Sequence, residues 1–108
     1  MGGDVDNAQV GESSLVKRAT IRNSILGRSV WVNEGAVIED SIVMDNTSVG
    51  KGARLRRAII DRFNIIPADA EIGYDLADDR RRYHVDASGL VVVPRGGRRE
   101  FLRGLDEF

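Results

Sequence analysis

The sequence predicts an all-β fold, a parallel β-helix of hexapeptide repeats with about three and a half coils. Repetition is the first sign: residues 21–71 divide into three consecutive blocks of 17 residues that open IRNSIL, IEDSIV and LRRAII. Aliphatic residues also recur at fixed phases, in columns of Ile21, Ile38, Leu55 and Ile72, of Leu26, Val43 and Ile60, and of Leu15, Val32, Val49 and Ile66. Four glycines, Gly27, Gly35, Gly50 and Gly52, lie at the expected corners, where a positive φ is often needed.

Each block divides into steps of six, five and six residues, and every step ends on an aliphatic residue. Short strands joined by tight corners suit these steps, and each coil stacks its aliphatic side chains about 4.8 Å from those of the next. A single repeat cannot bury its apolar face alone, so stacked repeats form the core. The alternative is a β-sandwich, whose strands recur about every 8 to 12 residues. It would not require columns in strict register, so the pattern favours the β-helix.

The composition bounds the class of protein. A chain of 108 residues has length for one small domain, and 42% hydrophobic residues can supply its core. The net charge of −1 provides no bulk field for binding nucleic acid or a membrane surface. No cysteine occurs, which excludes disulfides and thiolate chemistry. The sequence contains no apolar run long enough for a transmembrane helix and no signal-peptide core, so a cytoplasmic location is expected.

The chain is expected to begin with a flexible leader over residues 1–14, which is polar and glycine-rich, and to enter the β-helix of residues 15–72 in mid-turn. An uncapped first coil would expose unpaired backbone groups and the ends of the apolar columns. An upstream domain, a second copy or the leader itself could cover it. For this reason, and because Trp31 is expected to point outward, self-association is predicted. Trp31 could cover a face of the same chain or form a subunit contact, since aromatic residues are enriched at interfaces.

A capping segment is predicted over residues 73–96. Acidic residues precede basic ones in YDLADDRRRYH, the order that the dipole of a short helix favours. A turn at residues 86–89 and a strand at residues 90–93 should then fold back and close the last coil. The tail, residues 97–108, has a weak helical pattern and is expected to be disordered in isolation; its apolar residues are Phe101, Leu102, Leu105 and Phe108.

The chemistry that the side chains offer is limited. His84 is the one histidine and lies outside the coils, so no catalytic residue, metal site or cofactor site is predicted. The block RLRRAIIDR instead concentrates arginines, and guanidinium groups suit phosphate. Four candidate contacts to an anion follow: Arg54, Arg56, Arg57 and Arg62. The alternative is a solvated face whose arginines are partnered by Asp61 and the acids that follow.

The stretch VGKGARLRRAIIDRFNIIPADAEIG, then DDRRRYH and GLVVVPRG, resembles the C-terminal region of bacterial ADP-glucose pyrophosphorylase, or glucose-1-phosphate adenylyltransferase. The run SLVKRATIRNSILGRSVWVNEGAVIEDSIV is similar to earlier coils of that region, and the resemblance covers about residues 13–96. It implies a left-handed β-helix that serves regulation and assembly in a homotetramer. Mg and ATP would belong to a catalytic domain that has no counterpart here. The arginine of the family's IDR motif matches Arg62, which implies a contact to an anionic effector such as AMP or a sugar phosphate.

Two other classes of function remain open at this point. A small trimeric hexapeptide acyltransferase would need a histidine in its coils, and His84 lies outside them. A free-standing scaffold would bind a partner through its flat faces or its open first coil.

Overall fold

In the computed structural model, which describes residues 3–97, the chain forms a parallel β-solenoid of about four turns, and the predicted fold class is confirmed. The strands are β1 Gly3–Val10, β2 Leu15–Val16, β3 Ala19–Leu26, β4 Trp31–Val32, β5 Val37–Glu39, β6 Ile42–Val43, β7 Ser48–Val49, β8 Arg54–Arg56, β9 Ala58–Ile60, β10 Ile65–Ile66, β11 Glu71–Ile72, β12 His84–Val85 and β13 Val91–Val93. One helix, α1 Leu76–Arg82, precedes β12.

The strands stack in parallel on three faces, each named here by its outward residues. The charged face contains the first half of β3 with β5, β8 and β11. The isoleucine face contains the second half of β3 with β6, β9 and β13. The tryptophan face contains β2, β4, β7 and β10. β1 and β3 are each long enough to run through both the charged face and the isoleucine face. At the β1 end of the solenoid, these two faces are therefore joined by continuous strands.

The interior holds three aliphatic columns. Register places these residues above one another: Val5, Ile21, Ile38, Leu55 and Ile72; Val10, Leu26, Val43, Ile60 and Val93; and Val16, Val32, Val49 and Ile66. The predicted columns that begin at Ile21 and Leu26 are therefore confirmed. Like stacks on like in the core, and Ile21, Ile38 and Leu55 are fully buried.

The third column begins at Val16, so the prediction that Leu15 belongs to it was wrong. Val16 is 6% exposed and pairs with Val32, whereas Leu15 is 49% exposed and pairs with Trp31. The reason is a shorter corner. Val16 and Ile21 are five residues apart in the first turn, while Val32 and Ile38 are six apart in the next. The first turn is consequently shorter than the later ones by a single residue.

Residues 3–10 differ from the expected flexible leader, because β1 belongs to the solenoid. It pairs in parallel with β3 from Gly3 to Val10, which makes it the first strand of a further turn. Val5 and Val10 occupy inward positions but are 41% and 42% exposed. They are the ends of two interior columns, and the described chain places nothing above them.

The corners use the left-handed conformation, and mostly without glycine. Positive φ angles recur in three stacked sets: Asn7, Asn23, Asp40 and Arg57; Ser13, Ser29, Asn46 and Phe63; and Arg18, Gly35, Gly52 and Asp69. Short polar side chains tolerate this conformation by bonding locally, and Asn23 Nδ2 donates to Asp40 Oδ1 at 3.3 Å. The prediction of positive φ at Gly27 and Gly50 was wrong. A methyl group at Gly27 would overlap Asp45 Oδ1, so this glycine permits close approach of the next turn.

The segment after Ile72 closes the end of the solenoid, as predicted. Asp75 caps α1 by accepting a hydrogen bond from the Asp78 amide at 3.2 Å, and basic residues fill the last turn of the helix. The chain then forms an antiparallel pair between β12 and β13, and β13 adds in parallel to β9. Gly97 belongs to the expected tail, and the remainder of that tail lies outside the described residues.

Candidate functional site

The predicted arginine cluster is divided among three locations. Arg54 and Arg56 both lie on the charged face, with the ring of Tyr74 close to both. Both guanidinium carbons lie 4.5 Å from the centre of the Tyr74 ring, within the range of a cation–π interaction. Arg56 Nη2 also donates to the Gly73 carbonyl at 3.3 Å. These two arginines therefore hold Tyr74, and through it the start of the cap, against the solenoid.

Arg57 binds the capping segment. It occupies a corner with φ of 49°, and its Nη2 donates to the Ser88 carbonyl at 2.8 Å. Its own carbonyl accepts the amide of Val91 at 3.0 Å, which aligns β13 beside β9. Both contacts are internal to the chain. Arg57 is thus committed to joining the cap to the third turn.

Arg62 occupies the corner between the isoleucine and tryptophan faces and is exposed. Its amide donates to the carboxylate of Asp61 at 2.7 Å, and its carbonyl accepts the amide of Gly96 at 2.9 Å. The side chain lines a shallow depression that reaches Ile25 and Ile42. None of the described hydrogen bonds or ion pairs occupies the Arg62 guanidinium, unlike that of Arg57. Arg62 is therefore the candidate whose charge stays directed at solvent.

Arg95 lies at the same corner and was missed by the sequence prediction. Its guanidinium carbon is 5.2 Å from the centre of the Phe63 ring, and Phe63 directly follows Arg62. Register explains the proximity, since Val93 pairs with Ile60 and each arginine comes two residues after its member of this pair. If the interior column had been extended from Ile60 past the capping segment to Val93, the sequence would have placed Arg95 beside Arg62. Guanidinium groups such as these have the donor geometry that suits phosphate oxygens.

Two carboxylates of the cap have shifted pKa values in opposite directions. Asp79 is buried, and this burial raises the pKa of its carboxyl group, aided by the negative charges of Asp78 and Asp75. The hydrogen bond from the Gly73 amide, at 2.9 Å, and the charge of Arg82 oppose that shift. Hydrogen bonds from Ser88 and Leu90 lower the pKa of Asp86. Asp79 is bonded to the amide of Gly73, and Asp86 is bonded to the amides of Ser88 and Leu90 and to the Ser88 hydroxyl, so both carboxylates hold the backbone of the cap.

His84 lies on β12 in the cap and is exposed, as predicted for a histidine outside the coils. Residues 3–97 contain no cluster of three or more histidine, aspartate or glutamate side chains that could hold a metal ion. Over the same residues no helix is long and apolar enough to cross a membrane. The position of His84 at one end of the solenoid does not supply the coil histidine that an acyltransferase would need.

Trp31 points outward, as predicted, and is 43% exposed. It pairs with Leu15 on one side and Ser48 on the other, and Ile65 follows in the same outward row. Ser48 is 1% exposed although it belongs to this outer row, so its larger neighbours cover it. The tryptophan face therefore presents Leu15 and Trp31 as an apolar patch at the open end of the solenoid.

These features define a class of protein, the hexapeptide-repeat domains. The chain belongs to the family described as GlmU-like, C-terminal hexapeptide, whose model matches residues 1–93. Its similarity to individual proteins is narrower and points to one enzyme, as the resemblance of the sequence implied.

The chain is 39% identical over 98 residues to the glucose-1-phosphate adenylyltransferase of Anaeromyxobacter sp. (strain Fw109-5), covering 91% of this chain and 24% of that protein. It is 43% identical over 95 residues to the enzyme of the same name from Rhodopirellula baltica, with 87% and 21% coverage. With that of Geobacter metallireducens it shares 47% identity over 80 residues, with 73% and 19% coverage. The chain thus spans about a fifth to a quarter of the length of these relatives.

Proposed function

We propose that this chain is the regulatory and subunit-assembly part of a glucose-1-phosphate adenylyltransferase, which forms ADP-glucose and pyrophosphate from ATP and glucose 1-phosphate. The observation that carries the proposal is the distribution of the similarity, which covers most of this chain and about a fifth of each relative. A solenoid of stacked turns offers flat faces and ordered corners for binding other subunits and effectors. The transfer reaction itself would be performed by other parts of the longer enzyme.

The regulatory role is assigned to the corner that holds Arg62 and Arg95. Both side chains are exposed and both are cationic, so they suit an anionic effector such as AMP or a sugar bisphosphate. Arg54, Arg56 and Arg57 contribute less, because their guanidinium groups contact Tyr74 or the Ser88 carbonyl. The proposed effector site is therefore smaller than the arginine cluster of the sequence.

The test of the effector site is a titration of the chain with AMP and with fructose 1,6-bisphosphate, followed by amide chemical shifts. We expect shifts at residues 62–64 and 94–96, and an Arg62→Ala change should remove most of them. Arg22→Ala is the matched control, since Arg22 is exposed on the charged face and pairs with Asp4. Shifts that survive Arg62→Ala, or that Arg22→Ala abolishes equally, would contradict the assignment.

In a full-length enzyme carrying this domain, Arg62→Ala should move the activation curve to higher effector concentration, while Arg22→Ala should leave that curve in place. An activation curve unchanged by Arg62→Ala would remove this residue from the regulatory site. The titration and this assay test different claims. If the domain binds the anion but activation does not change, the binding site is retained and the regulatory role is excluded.

The assembly role is assigned to the tryptophan face. Leu15 and Trp31 together expose a larger apolar surface than single scattered residues do, which marks an interaction site. Sedimentation should show the chain as an oligomer that Trp31→Glu converts toward monomer. Val37→Glu, on the charged face, is the control and should leave the oligomer intact. A monomeric parent chain at high concentration would contradict this role.

A further inference from the structure

The corner between the tryptophan face and the charged face contains an open cavity beside the shortened first turn. Val16 and Ile21, on the two sides of this corner, are five residues apart, one fewer than Val32 and Ile38 in the next turn. A corner with one residue fewer extends less far from the axis of the solenoid, and the recess contains a cavity of about 600 Å³. Small-molecule sites occupy about 300–1,000 Å³. A break in an otherwise regular pattern is also where a functional site is expected.

Three charged residues line this cavity from equivalent positions on successive turns. The carbonyls of Arg18, Glu34 and Lys51 each accept an amide from the turn that follows, at 3.0, 3.1 and 2.8 Å. These bonds fix the three backbones one above another. Lys17, directly before Arg18, is the fourth charged residue of the lining. Three cations and one carboxylate therefore give the cavity an excess of two positive charges.

The cations of the cavity are only weakly neutralised within the chain. Arg18 Nη1 lies 3.8 Å from Glu34 Oε1, and the two side chains are 77% and 55% exposed. An exposed ion pair of this kind contributes little to stability, so a bound anion can replace Glu34 as the partner of Arg18. Within residues 3–97, no ion pair involves Lys17 or Lys51. Both ammonium groups can therefore be directed at a ligand.

Two uncharged residues complete the lining. Asn33 Nδ2 donates to the Val49 carbonyl at 2.9 Å, which fixes the amide group at the wall of the cavity. An amide nitrogen carries two hydrogens, and the second can be donated to a ligand oxygen. At the tryptophan face the lining reaches Leu15, whose side chain is 49% exposed. The cavity thus combines cationic and amide donors with an apolar contact.

We propose that this cavity binds a small organic phosphate, with the phosphate group among Lys17, Arg18 and Lys51 and the apolar part of the molecule against Leu15. A phosphate monoester carries about 1.5 to 2 negative charges at neutral pH, which matches the excess of positive charge. This corner differs from the corner of Arg62, so the two sites are separate and neither depends on the other.

The lysines provide a direct test, because Lys17 and Lys51 are the only lysines of the chain. Reductive methylation with ¹³C-formaldehyde keeps their charge and gives each an NMR methyl signal, and the labelled α-amino group is an internal control. Phenyl phosphate, titrated at constant ionic strength, should move both lysine signals and leave the α-amino signal in place. Lysine signals that stay in place, or that move no more than the α-amino signal, would overturn the proposal.

Inorganic phosphate tests the apolar contact. It should move the same two signals but bind at least about threefold more weakly than phenyl phosphate, because it has no ring to bury against Leu15. Equal affinities for the two probes would overturn the assignment to an organic phosphate.

Charge variants test the position of the site, with binding followed at the Lys17 signal. Lys51→Gln should raise the Kd for phenyl phosphate about two- to fivefold, and Glu34→Gln, which removes the competing carboxylate, should lower it by a similar factor. Arg22→Gln and Arg62→Ala are the controls and should leave the Kd unchanged. All four residues are exposed, so the fold should be retained. A Kd unchanged by both Lys51→Gln and Glu34→Gln, or raised as much by Arg62→Ala, would overturn the proposal.

Discussion

Asp79 Oδ2 accepts a hydrogen bond from the Gly73 amide at 2.9 Å, although the Asp79 side chain is almost fully buried. This contact ties α1 to the glycine that ends the last turn. The carboxylate is bonded but sits among the like charges of Asp75 and Asp78, and desolvation is the largest cause of its raised pKa. The cap is thus joined to the solenoid through a carboxyl group whose pKa lies above its ordinary value.

The first prediction follows from the sign of that shift. A raised pKa in the folded state means that stability from Asp79 is fully present below its ordinary pKa of about 3.9 and is lost as pH rises through the folded value. Asp79→Asn keeps an acceptor and removes the titration. Urea unfolding should show the variant gaining stability relative to the parent chain as pH rises above the ordinary carboxyl pKa of about 3.9. A difference that does not change with pH would contradict the prediction.

Asp86 should show the opposite dependence. Its carboxylate accepts hydrogen bonds from the Ser88 amide at 2.8 Å, the Ser88 hydroxyl at 2.6 Å and the Leu90 amide at 3.1 Å, and the hydroxyl is the main cause of its lowered pKa. Stability from this group is present above the ordinary carboxyl pKa and is lost as pH falls through the folded value. Asp86→Ala should therefore destabilise the cap at neutral pH and have a smaller effect in acid, measured by amide exchange of β13. An equal effect at both pH values would be inconsistent with it.

The short first turn can be tested with two alanine variants. Val16 is buried and belongs to the third column, so Val16→Ala should lower the free energy of unfolding by about 1–2 kcal/mol. Leu15→Ala should change it by no more than about 0.5 kcal/mol, because Leu15 is exposed in the isolated chain. Chemical denaturation at a concentration that keeps the chain monomeric measures both. The reverse order of effects would restore Leu15 to the column and a uniform repeat length to every turn.

Alanine variants at two glycines, Gly35 and Gly73, can distinguish the free-energy cost of backbone strain from that of a steric clash. Gly35 has φ of 79°, and a methyl group there would make only ordinary van der Waals contacts with Gly52, so Gly35→Ala should cost about 1–2 kcal/mol for the left-handed conformation alone. Gly73 has φ of 91°, and a methyl group there would also overlap the Arg56 carbonyl oxygen. Gly73→Ala should cost clearly more and should disturb the Asp79 contact. Equal melting temperatures for the two variants would refute the clash.

Interior stacking was predictable from sequence because the same spacing recurs wherever successive turns are equal in length. Ile21, Ile38, Leu55 and Ile72 satisfy this condition, and their column is confirmed. Leu15 and Val16 are adjacent aliphatic residues, and periodicity alone cannot show which points inward when a corner is shortened. Val5 and Val10 were missed for the same reason, because the shortened turn removes them from the 17-residue phase of the later columns. The polar residues around them suggested a flexible leader instead.

The candidate site was only partly predictable, because arginines that are close in sequence diverge in a structure that turns every five or six residues. Arg57 and Arg62 lie at successive corners, yet one binds the cap and the other faces solvent. Arg95 joins Arg62 only because the chain returns to the solenoid at β13 after the cap. A contact formed by such a long return has no periodic signal in the sequence.

The two ends of the solenoid differ in how well their apolar columns are covered, so unfolding should begin at one particular end. Each turn is hydrogen-bonded only to its neighbours, so local opening spreads one turn at a time from the least protected end. Ile72 is buried beneath the cap, whereas Val5 and Val10 are exposed and no turn within residues 3–97 lies above them. Local unfolding should therefore begin at β1 and proceed toward the cap. The corner of Arg62 and Arg95 lies next to the capped end, so it should be among the last regions to unfold.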